Sequence, residues 1–206
     1  MVDFTRLPLN AALLTSKLRI LDPKLFKPDP LPAGKASGEV TLSAEALPNL
    51  VRTAALAVSG FDDDAANADR APTLLWRCGS SDLLVLPGGV QTRLAQGVIA
   101  ISIPVQCDQT GATFVHVSFF VGEPSRPAGL VAATEPRPRG PAAVVDVWGE
   151  RLVAFGWQIV VALVTQIAAD SGRDEDGAPL LPTAMSATPQ GLTVLPIARH
   201  AMDRGK

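Results

Sequence analysis

The chain contains no tyrosine, two histidines and two cysteines in 206 residues, and Phe and Trp together make up only 5% of it. Each shortage removes a class of function. Few aromatic rings leave few platforms for stacking bases. A formal net charge of −2 supplies no basic field to release counterions from a phosphate backbone. No nucleic-acid partner is therefore expected. Only His116 and His200 could serve as the imidazole base of a Ser-His-Asp arrangement. His116 alternates with Ser118 along one strand face, and His200 belongs to a charged tail. No catalytic residues are assigned, and the protein reads as a non-enzyme.

Metal chemistry fares no better. Cys78, Cys107 and His116 stand isolated, without the paired spacing that a zinc site needs. The acidic runs at Asp62, Asp64 and Asp69 and at Asp170, Asp174 and Asp176 do not complete a calcium loop with its closing Glu. "LPGG" at 86–89 lacks the lysine and spacing of a phosphate loop. Asp146 and Glu150 lie one helical turn apart beside Arg151, which reads as a polar seam rather than an acid–base pair. No cofactor or metal is expected.

The two cysteines allow one disulfide, Cys78–Cys107, which the sequence leaves open. Asp3, Arg6, Lys17 and Arg19 interrupt the apolar stretch a signal peptide would need. The expectation is a cytoplasmic protein whose thiols are reduced and buried.

Apolar residues, by contrast, are abundant: 47% of the chain, against 18% charged. A mean hydropathy of +0.24 is high for a soluble monomer and points to apolar surface covered by another copy, a partner or lipid. Residues 1–37 read as an extended arm. Pro23, Pro28, Pro30 and Pro32 favour a polyproline-like run, while Leu21, Leu25, Phe26 and Leu31 are spaced through it as anchors. Residues 38–206 read as a single α+β domain. Leu47, Leu50, Val51, Ala54 and Ala57 mark a short helix that starts near Leu47 and stops at Gly60. Short strands follow in "TLLWRC" and "DLLVLP".

The clearest pattern is a hairpin. In "GVIAISIPVQ" and "TFVHVSFFVG" the residues Ile99, Ile101, Ile103, Val105, Val115, Val117, Phe119 and Val121 share one parity, hence one face. A three-residue turn, Gln109 to Gly111, sets Val105 opposite Val115, Ile103 opposite Val117 and Ile101 opposite Phe119. Pro104 cannot donate to a ladder, which places its strand at an edge or a bulge. A proline-rich connection then leads through Arg137 and Arg139 to Pro141, which suits a first helical turn.

That helix runs about thirty residues, about 45 Å. Within it, Leu152 to Ala169 carries no formal charge and at about 27 Å approaches a bilayer core of about 30 Å. Against a membrane span stand Trp157 at mid-depth, the polar Gln158, Thr165 and Gln166, and an acidic C-terminal flank. On a helical wheel Arg151, Gln158 and Thr165 form one narrow polar stripe on an otherwise apolar cylinder. The favoured reading is the core helix of a soluble domain. "GLTVLPIAR" supplies a last strand. The fold expected is α+β: a curved antiparallel sheet of four to five strands on one long C-terminal helix, with a shorter helix and an extended arm before them.

The function expected is non-enzymatic: a structural or assembly protein, homo-oligomeric or docked in a larger complex. Leu21, Leu25, Phe26, Leu31, Arg137 and Arg139 are its candidate contacts. The alternative is a small apolar-ligand domain with a cavity between sheet and helix, where His116, Arg151, Gln158 and Thr165 would supply the polar contacts.

Overall fold

A computed structural model describes residues 19–20, 38–61, 72–129, 133–134 and 137–198. In chain order the elements are β1 (Arg19–Ile20), β2 (Val40–Ser43), α1 (Leu47–Val58), β3 (Leu74–Cys78), β4 (Ser81–Val85), a 3-10 turn (Pro87–Gly89), β5 (Gln91–Ala95) and β6 (Val98–Cys107). They continue as β7 (Gly111–Phe120), β8 (Gly122–Glu123), β9 (Arg126–Gly129), β10 (Ala133–Thr134), α2 (Ala142–Ser171), β11 (Leu181–Thr188) and β12 (Gly191–Ile197). The class is α+β, with the long C-terminal helix as its centre.

The strands divide between two sheets. One has the order β1-β10-β7-β6-β4-β3, with β5 also bonded to β6; the other has the order β2-β12-β11-β9-β8. Every pairing is antiparallel except that of the two-residue β1 with β10. α2 packs against β6 and β7 of the first sheet and β11 and β12 of the second. The sheets also touch directly, where the Gly97 N–H donates to the Ala187 carbonyl at 2.9 Å. The helix thus fills the angle between them, and one apolar cluster includes residues of both sheets and both helices.

The hairpin faces are those expected. All eight residues from Ile99 to Val121 that share the apolar parity are at most 1% exposed. Its register, however, differs from the expected one by two residues. Ile99 lies opposite Phe119, Ile101 opposite Val117, Ile103 opposite Val115 and Val105 opposite Thr113. The turn is Asp108 to Thr110, and Gly111, at φ +65°, opens β7. A two-residue shift leaves every side chain on its face, so hydrophobic patterning alone does not choose between the two registers.

Pro104 is also placed differently from the expectation. β6 is a central strand, but two strands share one of its sides. β5 pairs with residues 98–102 and β4 with Val105 and Gln106. Pro104 lies at the gap, where its carbonyl accepts from the Leu86 N–H at 3.0 Å and the chain detours through the 3-10 turn. A Cβ on Gly89 would lie 3.0 Å from Pro104 Cγ, so the detour hugs the proline ring. The missing donor costs little there, because Phe114 pairs with Pro104 from the β7 side and no strand residue stands opposite it on the β4–β5 side.

α1 begins at Leu47 with Pro48 in its first turn, as expected. Ser43 is the last residue of β2 and not a helix cap; Ala46 holds that position without a side-chain bond. α2 reaches close to the sheet through Gly156, where an added Cβ would lie 2.6 Å from Val117 Cγ2. Trp157 beside it rests on Phe119 with ring centroids 5.3 Å apart.

Candidate functional site

α2 is apolar and long enough to span a membrane by length and composition, yet 72% of that apolar window is buried among the protein's own elements. What the two sheets leave uncovered is one line along it. Val147 is 44% exposed, Arg151, Thr165 and Gln166 are exposed, and Val161, Ala162 and Ala169 are half-buried. Positions 151, 154, 158, 162, 165 and 169 recur at three- and four-residue spacing, so they lie along one side of the cylinder. Arg151 lies back over the Trp148 ring, 5.3 Å from its centroid, which leaves the middle of the line to small residues. Gln158 sits in that middle. It is 9% exposed, and its carboxamide makes no hydrogen bond to any described residue. Three of the four expected ligand contacts, Arg151, Gln158 and Thr165, are therefore brought together on one stripe.

The fourth is not. His116 lies on the other face of the first sheet, pointing away from α2. There it sits directly opposite Ser102, and Ser102 Oγ and His116 Nδ1 share a hydrogen bond of 2.8 Å. Phe114, 39% exposed, stacks beside the imidazole with centroids 6.3 Å apart. The Ser-His contact follows from the register, which pairs the two residues directly. Among the described residues no carboxylate bonds the second imidazole nitrogen, the partner that a Ser-His-Asp arrangement requires.

Arg137 and Arg139 belong to a strap that the chain lays on itself. Residue 139 forms a bridge with β7: the His116 N–H donates to the Arg139 carbonyl at 2.8 Å, and the Arg139 N–H donates to the His116 carbonyl at 2.9 Å. Arg137 donates to Asp146 on the second turn of α2. Pro138 between them is buried and faces Gly149, where an added Cβ would lie 3.3 Å from Pro138 Cγ. Together with β10, the strap covers the edge of β7 that would otherwise present unpaired backbone groups. The other contact candidates, Leu21, Leu25, Phe26 and Leu31, lie outside the described residues.

The cysteines do not pair. Cys78 is exposed on β3 and Cys107 half-buried on β6, with β4 between those strands. Strands two apart are separated by about 9.5 Å, beyond the roughly 7 Å that a disulfide bridges between Cα atoms. Exposure of Cys78 corrects the expectation of two buried thiols. Partial burial of Cys107 opposes its ionisation. Hydrogen bonds from the Thr110 hydroxyl, at 3.2 Å, and from the Thr110 and Gln109 backbone outweigh it, so the thiol pKa is lowered.

The acidic loop after α2 is tied up by its own backbone. One Asp174 oxygen accepts from the Asp176 and Ala178 N–H groups, and Arg173 donates to the Gly177 carbonyl. Among the described residues no three metal-ligating side chains cluster. Buried in the core, the Trp157 indole N–H is without a hydrogen-bond partner among the described residues. No protein-family model, curated protein or solved structure matches the chain.

Proposed function

We propose that the protein is a non-enzymatic assembly protein that associates with copies of itself. The observation that carries this reading is the uncovered line of α2. A helix otherwise enclosed by two sheets presents Val147, Arg151 and Thr165 exposed and Val161, Ala162 and Ala169 half-buried, on either side of the buried Ala154 and Gln158. That mixture of small, apolar and neutral polar side chains resembles an interface core with a polar rim more than it does a solvated face. The high apolar fraction points the same way. A ligand cavity between sheet and helix finds less support, because the two are in direct contact at Gly156. Size-exclusion chromatography with light scattering on the full chain tests the proposal. The expected result is a dimer or larger oligomer at micromolar concentration; a monomer throughout would overturn it.

A further inference from the structure

Beyond self-association, we infer that the solvent face of the first sheet binds a small oxyanion, of the phosphate or carboxylate class, between Arg93 and the Ser102–His116 pair. The strand register places the residues. Gln91, Ser102, His116 and Arg139 stand opposite one another in one row across β5, β6, β7 and the strap, and Arg93, Ala100 and Ser118 form the next row. Directly opposite residues share a face, so these side chains lie on the side away from α2. Strands are about 4.8 Å apart and same-face residues about 7 Å apart along a strand, so Arg93, Ser102, His116 and Ser118 surround Ala100 at roughly 5–8 Å between Cα atoms. The Ala100 methyl is the smallest side chain in the group. It leaves a shallow floor above which the longer side chains can meet one anion.

Charge and hydrogen bonding on this face favour a negative ligand. β5, β6, β7 and residues 137–140 contain no Asp or Glu, although the whole chain carries a net charge of −2. Arg93 is exposed and has no ion-pair or hydrogen-bond partner among the described residues. The 2.8 Å bond between Ser102 Oγ and His116 Nδ1 leaves one donor over in either tautomer. When the Ser102 hydroxyl donates to Nδ1, the Nε2–H is free; when Nδ1 holds the proton, the hydroxyl proton is free. The guanidinium, this spare donor and the Ser118 hydroxyl thus face one ligand position with no carboxylate among them. Charge-assisted bonds from a guanidinium to an oxyanion are stronger than neutral ones, which makes Arg93 the anchor. One row further, Phe114 is 39% exposed and its ring lies within 15° of the imidazole plane. That apolar ring suits an anion carried on a planar organic body.

The test is an amide NMR titration of the full chain at low salt with phenyl phosphate, inorganic phosphate and benzoate. Phenyl phosphate is expected to saturate with a dissociation constant on the order of 1 mM and to shift the amides of Arg93, Ala100, Ser102, His116 and Ser118. Inorganic phosphate, which has no ring to lay on Phe114, should bind a few-fold more weakly, and Phe114→Ala should remove that difference. Tighter binding of phenyl phosphate than of benzoate assigns the site to phosphates, and the reverse order to carboxylates. Arg93→Gln and His116→Gln should each weaken binding about fivefold. Both residues are exposed, and an unchanged spectrum outside the patch checks that the fold is intact. Arg52→Gln, exposed on α1, should leave binding as it was. Shifts that do not saturate by about 20 mM, or equal losses from Arg93→Gln and Arg52→Gln, would overturn the site, because both describe a diffuse charge effect.

Discussion

Gly156 is where a single hydrogen atom decides the spacing of helix and sheet. A methyl group there would overlap Val117 Cγ2 at 2.6 Å and press on the Phe119 ring at 3.4 Å. Val117 is 1% exposed and β-branched, so its methyl has nowhere to turn. Alanine gains about 1 kcal/mol of helix propensity, but overpacking a filled core costs about 1–3 kcal/mol. Gly156→Ala should therefore lower the urea midpoint. Gly149→Ala, whose Cβ meets only Pro138 at 3.3 Å or more and Val145 at 3.5 Å, should leave it unchanged or raise it. If the two variants move together, close approach is not what the glycine provides. Cys107 carries a second prediction. Its folded pKa is lowered, so the thiolate forms at lower pH than for an ordinary thiol. This stabilisation is present above the unfolded pKa and is lost as pH falls through the folded one. In Cys78→Ser protein, the pH profile of alkylation at Cys107 should shift upward when Thr110→Val removes the hydroxyl; an unmoved profile would show that the hydroxyl is not responsible. Neither contact is legible in the sequence. Gly156 in an apolar run signals nothing until the sheet beneath it is known, and Cys107 meets Thr110 only because the turn is Asp108 to Thr110.

At the level of elements, what repeats along the chain is readable and what depends on pairing is not. α2 is foreseen almost to the residue, because Pro141 opens it, thirty residues sustain a helical pattern and a Gly-rich acidic loop closes it. The buried face of the β6–β7 hairpin is equally plain from its period of two, whereas its register is set by turn geometry that several spacings satisfy. β11, "LPTAMSAT", escapes notice because Ala, Ser and Pro carry little strand propensity; it is a strand because α2 and β12 bury Ala184, Met185 and Ala187. The strap at residues 137–140 looks in the sequence like a surface connection ready for a neighbour, yet it closes the edge of β7. Its strength should lie in the backbone bridge rather than the ion pair. Arg137 and Asp146 have side chains about 60% exposed, and such pairs contribute at most about 1 kcal/mol. Asp146→Asn should thus be nearly silent in denaturant melts. Arg139→Pro, which deletes the donor to the His116 carbonyl, should speed hydrogen exchange at the His116 amide severalfold. Equal effects from the two variants would reverse that ranking.

For the whole molecule the decisive fact is that the two sheets share one helix and one apolar cluster. Val117 and Phe119 of the first sheet meet α2 at Gly156, while Met185, Ala187, Leu192 and Val194 of the second belong to the same buried set. Among the described residues α2, joined by α1 where it packs on α2 and β5, is the layer that covers the apolar faces of both sheets, and α2 without them exposes an almost wholly hydrophobic cylinder. Loss of either sheet therefore uncovers the face of the other. The bond from the Gly97 N–H to the Ala187 carbonyl ties the β5–β6 turn to β11 and removes the independence of the two halves at their junction. Residues 38–198 should accordingly unfold as one cooperative unit, with amide exchange in β6–β7 and in β11–β12 sharing a single opening free energy under near-native conditions. Scanning calorimetry supplies the complementary measure: equal calorimetric and van't Hoff enthalpies at a concentration where the association state is fixed. Two resolved transitions, or β11–β12 exchanging well before β6–β7, would mean that α2 belongs energetically to one sheet. The first sheet would then be its partner, because the close packing at Gly156, where an added Cβ would lie 2.6 Å from Val117, is on that side, and the second sheet would be a detachable cover whose loss exposes the helix.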